Sequence, residues 1–215
     1  MSDSRAINSA GQNKSGYPDF QDHLIELESR GLLRRVDREI NKDTELHPLV
    51  RWQFQGGLPE SERSAFLFTK VTNGDGQLYD MPVAVGALAT TPEIYAIGMG
   101  VSVEEIGAKW LHAIANPISP VRVDSPPCQE IIVRGKALIN GSGLETLPVP
   151  ISTPGYDAAP YLVATLVITK DPETGIRNMG TYRGALKAND RLGVRMATRV
   201  GGAGGYLHWQ KYQKR

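Results

Sequence analysis

Asp171-Pro172-Glu173-Thr174-Gly175-Ile176-Arg177-Asn178-Met179-Gly180-Thr181-Tyr182-Arg183 is the stretch on which the fold turns. An apolar run at 161–168 leads into it, Asp-Pro and Thr-Gly make a turn, and Asn178, Tyr182 and Arg183 return on a second extended segment. The pattern predicts a hairpin carrying polar chemistry. Strict two-residue alternation puts Asn178 and Arg183 on opposite faces of a regular strand. If both serve one site, the segment bends or bulges, and Gly180 is the residue that permits it. Downstream stand a second basic segment, 191–199, and the run Gly201-Gly202-Ala203-Gly204-Gly205. Guanidinium groups followed by a glycine-rich turn suggest a phosphate held by side chains and backbone N–H groups together.

With 215 residues the chain is long enough for one large domain or two small ones with a real core. A formal net charge of +1 argues against a nucleic-acid binder that works through bulk charge. No apolar run approaches the roughly 20 residues that cross a bilayer, so no membrane partner is expected. Residues 1–16 are polar, lack the apolar segment of a secretory signal, and read as a disordered leader. The single cysteine, Cys128 in Ser125-Pro126-Pro127-Cys128-Gln129-Glu130, excludes an internal disulfide and fits a reducing cytoplasm. It reads as a small structural cysteine rather than a nucleophile.

Along the chain, Asp19 caps a predicted helix whose apolar residues Phe20, Leu24 and Leu27 share a face, ending at Gly31. A strand at 34–40 and a helix at 44–55 follow, with Pro48 tolerated only in the first turn. His47 at that start reads as solvated or capping. Residues 65–71 form a strand by composition, 73–76 a turn, and 82–88 an apolar run of strand length. Thr90-Thr91-Pro92-Glu93 opens a short helix. Ser102 and Glu105 have capping-box spacing before a helix to Asn116, on which Ile106, Trp110 and Ile114 recur every four residues and His112 lies off that face. Residues 116–127 hold four of the fourteen prolines and mark the best boundary between two lobes. A strand is expected at 130–135 and an irregular connection at 144–154. Residues 206–215 begin a helix with Tyr206, Trp209 and Tyr212 at three-residue spacing, its Lys211, Lys214 and Arg215 on the solvated side.

Taken in order, Pro148-Val149-Pro150, the run 161–168, Asp171-Pro172-Glu173-Thr174-Gly175 and Asn178-x-Gly180-x-Tyr182-Arg183 resemble the UbiD family, decarboxylases that use prenylated FMN. Pro126-x-Cys128-Gln129-Glu130 and the helix-strand-helix start look like the same family, so the likeness covers residues 17–215. It implies an α+β fold: an N-terminal α/β region over 17–116, then over 117–215 the first part of a split β-barrel of flavin-reductase type that holds the cofactor. Asn178 looks like the asparagine that ligates a divalent metal, commonly manganese, bridging to the cofactor phosphate. Thr181, Tyr182 and Arg183 resemble the segment that lines the prenylated flavin, and Arg183 also resembles the family's active-site arginine. Arg195, Met196 and Ala197 look like the next cofactor-contacting triplet, with Gly201-Gly202-Ala203 matching a glycine pair. These roles suit the chemistry, since an asparagine carbonyl is a hard metal ligand and an arginine that keeps its proton holds a carboxylate rather than acting as acid or base. Without the resemblance, the same residues read as an ordinary hairpin with an exposed Arg183 and a buried, hydrogen-bonded Asn178.

Two departures limit what the resemblance implies. Family members carry a histidine before the glycine pair where this chain has Arg199; His208 lies beyond the glycines and replaces it only if the loop reorganises. The remaining metal glutamate and the acids that protonate the product lie, in the family, after the point where this chain stops, and no motif gives that role to Glu130 or Glu145. The expectation is therefore the N-terminal part of a carboxy-lyase acting on an aromatic or α,β-unsaturated carboxylic acid, inactive as an isolated chain. Its full-length form is expected to be a cytoplasmic homo-oligomer with no nucleic-acid partner. The alternative is a truncated or split non-catalytic flavin-binding module that needs a C-terminal partner. A plain flavin-reductase-like domain, binding FMN without metal, is a third reading.

Overall fold

The computed structural model describes residues 19–196 and 204–214. The leader, Ala197, Arg199, Gly201, Gly202, Ala203 and Arg215 lie outside the described residues. The elements run α1 (Phe20–Ser29), β1 (Leu33–Asn41), α2 (Leu46–Gln55), β2 (Ala65–Thr72), β3 (Val83–Val85), α3 (Pro92–Met99) and α4 (Ile106–Ala115). They continue with β4 (Tyr161–Leu162), β5 (Leu166–Lys170), β6 (Arg177–Thr181), β7 (Arg183–Ala188), β8 (Arg191–Arg195) and α5 (Gly204–Gln213). The chain is thus a mixed α+β protein with three small sheets, ordered β1-β2-β3, β4-β7-β8 and β5-β6. No closed barrel is present among the described residues.

Contacts divide the chain into two compact units. The first comprises residues 1–34, 59–66 and 86–121. Asp19 caps α1 by accepting from the N–H groups of Gln21 and Asp22, and Gly31 ends the turn with φ +72°. The buried face of α1 carries His23 and Leu27, whereas Phe20 is half exposed. His23 Nε2 bonds the carbonyl of Ala87 at 2.7 Å, which lets a polar ring stand in a core position. Leu33, Ile94 and Ile97 complete this core, and removing one such buried side chain costs about 2–5 kcal/mol. Thr91 caps α3 and Pro92 occupies its first turn. The periodic face of α4 is not core: Trp110 and Ile114 are exposed, and Trp110 Nε1 donates instead to Tyr95 Oη at 2.7 Å. His112 is exposed as expected.

The second unit holds residues 35–58, 67–85 and 122–215. Ile40, Leu46, Val50, Leu67, Phe68, Val71, Val149 and Ala185 are its buried apolar residues; Leu46 and Val50 stand one turn apart, so one stripe of α2 faces this core. The expected strand at 82–88 is only β3, because Gly86 turns the chain with φ +78° and its carbonyl accepts from Thr90. The expected strand at 130–135 is absent: the segment is bends, coil and the start of a 3-10 turn, and Ile131 and Ile132 are exposed because no strand pairs with it. Cys128 is exposed, so it is not a core cysteine.

The connection at 144–154 is irregular but anchored. Arg51 of α2 donates through Nη2 to the carbonyl of Ser152 (2.8 Å) and to Thr153 Oγ1 (3.3 Å), and Ile151 N–H donates to Asp43 Oδ1 (3.1 Å). Tyr161 N–H then donates to the carbonyl of Pro150, and Leu186 N–H to that of Pro160, which seats β4 beside β7. His47 on α2 is half-buried beside Arg51 and Asp157, against the expectation of a solvated residue.

Candidate functional site

The decisive stretch folds as the hairpin β5–β6, with five paired positions from Leu166↔Thr181 to Lys170↔Arg177 and no shift of register. Its turn is set by Asp171, whose Oδ1 accepts from the N–H groups of Glu173 (2.9 Å) and Thr174 (3.3 Å), and by Gly175 at φ +75°. Lys211 of α5 reaches across to Asp171 Oδ2 (2.6 Å) and Glu173 Oε2 (2.9 Å). It is a clasp on the turn rather than the solvated residue expected. The hydrogen bond from Lys211, then those from the turn's backbone, hold the Asp171 carboxyl well below the usual carboxylate range. The same carboxylates push the Lys211 ammonium up.

Alternation along β6 gives Asn178 and Thr181 opposite faces. Asn178 is half-buried, directly opposite Thr169, on the face that α5 covers; Thr181 is exposed on the other. Thr169 Oγ1 bonds His208 Nδ1 at 2.8 Å, so the histidine of α5 belongs to the Asn178 face and is half-buried. Gly180 makes no bulge. A Cβ there would lie 2.6 Å from Cε2, Cζ and Oη of Tyr182, so the glycine makes room for a ring that folds back over it. The chain turns at Tyr182 itself: Asn178 belongs to the β5-β6 sheet and Arg183 opens β7 in the β4-β7-β8 sheet.

Tyr182 Oη accepts from Asn178 Nδ2 (3.4 Å) and from Gly205 N–H (3.1 Å) at the start of α5. The helix start is pressed onto these side chains. A Cβ at Gly204 would sit 2.6 Å from Asn178 Cγ, and one at Gly205 would meet Tyr182 Cε2 at 3.2 Å and Met196 Sδ at 3.5 Å. Asn178 Oδ1 receives no hydrogen bond among the described residues. An unclaimed carbonyl oxygen at a helix N-terminus is a hard cation ligand next to donors that favour an anion. This oxygen is one member of the donor set that a metal-bridged phosphate needs, so the residues are compatible with the group the resemblance implies. Among the described residues no three His, Cys, Asp or Glu side chains converge on one metal position.

A second cluster lies on the β4-β7-β8 sheet. Arg183 and Arg195 are register partners and therefore share one face, and Tyr161 shares it through its pairing with Ala185. The Arg183 guanidinium lies 4.2 Å from the centre of the Tyr161 ring. Lys187 lies on the same side, its stem over Gly193, where a Cβ would meet Lys187 Cε at 3.2 Å. Asp157 answers this positive face: its Oδ1 takes Arg183 Nη2 at 3.0 Å and its Oδ2 accepts from Thr153 N–H at 2.9 Å. Burial first, then the Arg51 charge, lower the His47 pKa, with Asp157 opposing them.

Of the residues singled out by the resemblance, Asn178, Tyr182 and Met196 come together at the start of α5, and Arg183 pairs with Arg195 one strand away. Thr181 stands apart on the exposed face of β6. Ala197, Gly201 and Gly202 are outside the described residues. Asp157, Tyr161 and Lys187 were not anticipated. Tyr161 was legible as the start of an extended run, but its pairing with Ala185, two residues along β7 from Arg183, was not, and nothing around Asp157 in sequence ties it to an arginine 26 positions on.

Two protein-family models match the chain: the 3-octaprenyl-4-hydroxybenzoate carboxy-lyase N-terminal domain over residues 24–114, and the 3-octaprenyl-4-hydroxybenzoate carboxy-lyase Rift-related domain over residues 120–215. Among solved structures, the UbiD-class enzyme HmfF from Pelotomaculum thermopropionicum in complex with FMN is 31% identical, with a TM-score of 0.70 over 90% of this chain and 38% of its own. An evolved dimeric form of that enzyme in complex with prFMN is 30% identical, with a TM-score of 0.71 over 90% of this chain and 40% of its own. The apo 3,4-dihydroxybenzoic acid decarboxylase from Enterobacter cloacae shares the fold at 24% identity and a TM-score of 0.73, over 93% of this chain and 40% of its own. The chain therefore spans 36–40% of the length of the solved proteins it resembles.

Proposed function

The chain belongs to the UbiD family, and on that premise we propose that it supplies one wall of the cofactor and substrate site of a non-oxidative carboxy-lyase. The substrate is an aromatic or α,β-unsaturated carboxylic acid. Residues 17–116 are the N-terminal α/β region, and 117–215 belong to a split barrel of flavin-reductase type, in a cytoplasmic homo-oligomer. The observation that carries this reading is the unclaimed Asn178 Oδ1 at the start of α5, one strand-turn away from the Arg183–Arg195 face.

Asn178 would ligate a divalent metal, manganese, with the N-terminus of α5 and Arg195 turned to the cofactor phosphate. His208, held through Nδ1 by Thr169 on the same face, would offer its other ring nitrogen to that metal. Bound there, prenylated FMN supplies the electron sink for loss of carbon dioxide. Arg183 binds and orients the substrate carboxylate, because a guanidinium offers paired donors and keeps its charge at any working pH. Tyr161 shields one face of that guanidinium from water and strengthens its hold on the carboxylate. Tyr182 fixes Asn178 against the helix start. No carboxylic acid stands among these groups and Arg183 keeps its proton, so the proton that replaces carbon dioxide would come from another group.

The test is reconstitution of the longer or partnered enzyme that carries this chain with prenylated FMN and manganese, scoring flavin retained after desalting and carbon dioxide released. Asn178→Ala should lose metal-dependent retention, and Arg183→Ala should keep flavin but lose turnover at least tenfold. Flavin retained by the wild type without turnover would favour a non-catalytic binding module, and retention independent of metal would favour a plain flavin-binding domain. Unchanged turnover in Arg183→Ala would sink the assignment of Arg183.

A further inference from the structure

We propose that Asp157 is the positioning residue of Arg183: it holds one edge of the guanidinium so that the other edge meets a ligand carboxylate, and its charge sets how tightly that ligand is held. The inference rests on the reading of Arg183 as the carboxylate-binding residue.

Asp157 is fixed before it meets the arginine. Its side chain is 12% exposed, against 39% for Arg183, and its Oδ2 accepts from Thr153 N–H. Thr153 and Ser152 are in turn held by Arg51, and Ile151 by Asp43, so the loop that carries Asp157 is tied to α2 and to the end of β1 at three points. The Arg183 side chain is long and rich in rotamers; a buried, doubly used carboxylate is the rigid member of the pair. Oδ1 takes a single nitrogen, Nη2, at 3.0 Å. A guanidinium carries five N–H donors, and the others of Arg183 make no hydrogen bond among the described residues. Tyr161 beneath the group sets its plane, and Asp157 sets its rotation within that plane. An edge of two parallel donors is then presented at constant orientation, which is the geometry a carboxylate takes in bidentate pairing.

The charge has a second effect. Arg183, Arg195 and Lys187 share one face, and among the described residues Asp157 is the carboxylate paired to it. Its negative charge close to the binding edge opposes an incoming anion. Orientation is improved while affinity is lowered, the combination that favours turnover over ground-state binding.

The test is titration of the same reconstituted enzyme with benzoate, an unreactive aromatic carboxylate, in wild type, Asp157→Asn, Asp157→Ala and Arg183→Ala. Asp157→Asn keeps an oxygen for Nη2 and removes the charge, so benzoate should bind three- to tenfold tighter while kcat for the decarboxylated substrate falls. Asp157→Ala removes the hold as well, so kcat should fall at least tenfold further. Thermal melts of all four proteins separate these effects from misfolding. Weaker benzoate binding in a folded Asp157→Asn, or an unchanged kcat in a folded Asp157→Ala, overturns the inference. If Arg183→Ala binds benzoate like the wild type, the underlying reading of Arg183 fails instead; if either Asp157 variant does not fold, Asp157 is structural and the inference is again overturned.

Discussion

Arg183 and Arg195 stand directly opposite each other across β7 and β8, so two guanidinium groups share one face of the same sheet. Like charges in that position destabilise a strand pair by about 0.2–1 kcal/mol. Asp157 offsets one of them, and Arg195 is left exposed at the strand end. The repulsion is relieved when an anion pairs with either guanidinium, so ligand binding at this face should offset it.

Arg195→Met should therefore leave the ligand-free chain as stable as the wild type or slightly more so, by up to about 0.5 kcal/mol. The same substitution should reduce the thermal shift produced by saturating FMN. Parallel melts with and without FMN check both signs; a loss of ligand-free stability with an undiminished FMN shift would contradict the role of Arg195.

The clasp on the hairpin turn gives a pH signature. Asp171 is held below its ordinary value of 3.8, chiefly by Lys211, so its contribution to stability is in full above that pH and fades as pH falls below it. Acid unfolding of the wild type should be steeper in that window than that of Lys211→Met. Denaturant midpoints measured across it should converge for the two proteins at the acid end, because the clasp is already lost there.

The hairpin was legible because every cue was local: Asp171 and Gly175 carry the turn chemistry between an apolar run and a polar return segment. The helix starts at Asp19 and Thr91 were legible for the same reason. What failed was long-range. The 130–135 run has strand composition but no partner strand, and Trp110 has core spacing on a helix with no buried residue. Gly180 would permit a bend or bulge if Asn178 and Arg183 share a site, yet what requires it is the Tyr182 ring, and a strand pattern cannot specify a ring that folds back over its own strand. Asp157 escaped because its partner is fixed by loop anchoring through Arg51, which leaves no periodic trace.

His47 gives a second pH effect, of the same sign but higher on the scale. Burial and the Arg51 charge lower its pKa from 6.5, so the folded chain prefers the neutral ring. Its unfolded form takes up a proton as pH falls below 6.5, and stability is lost there. His47→Gln should flatten the decline in melting temperature between neutral and mildly acidic pH. The readout is the slope with pH, since a packing defect alone lowers the melting temperature at all pH values alike.

The contact between Gly180 and Tyr182 yields the most specific expectation. A methyl group at Gly180 would lie 2.6 Å from the ring, within a strand pair that has no slack in register. Gly180→Ala should cost about 1–3 kcal/mol, the usual penalty for overpacking. The strain resides in one side chain, so Tyr182→Ala should absorb it, and Gly180→Ala should be nearly neutral in that background. A double-mutant cycle then gives a coupling of about 1–2 kcal/mol, well above the 0.3–0.5 kcal/mol scatter of independent sites. Tyr182→Phe separates the other role of the residue: the ring stays over Gly180, but the oxygen that meets Gly205 and Asn178 is gone. That variant should keep most of the stability and lose flavin retention in manganese, because the start of α5 is no longer tied to Asn178, the proposed metal ligand. Equal flavin retention by Tyr182→Phe and wild type would show that the hydroxyl does not set that geometry.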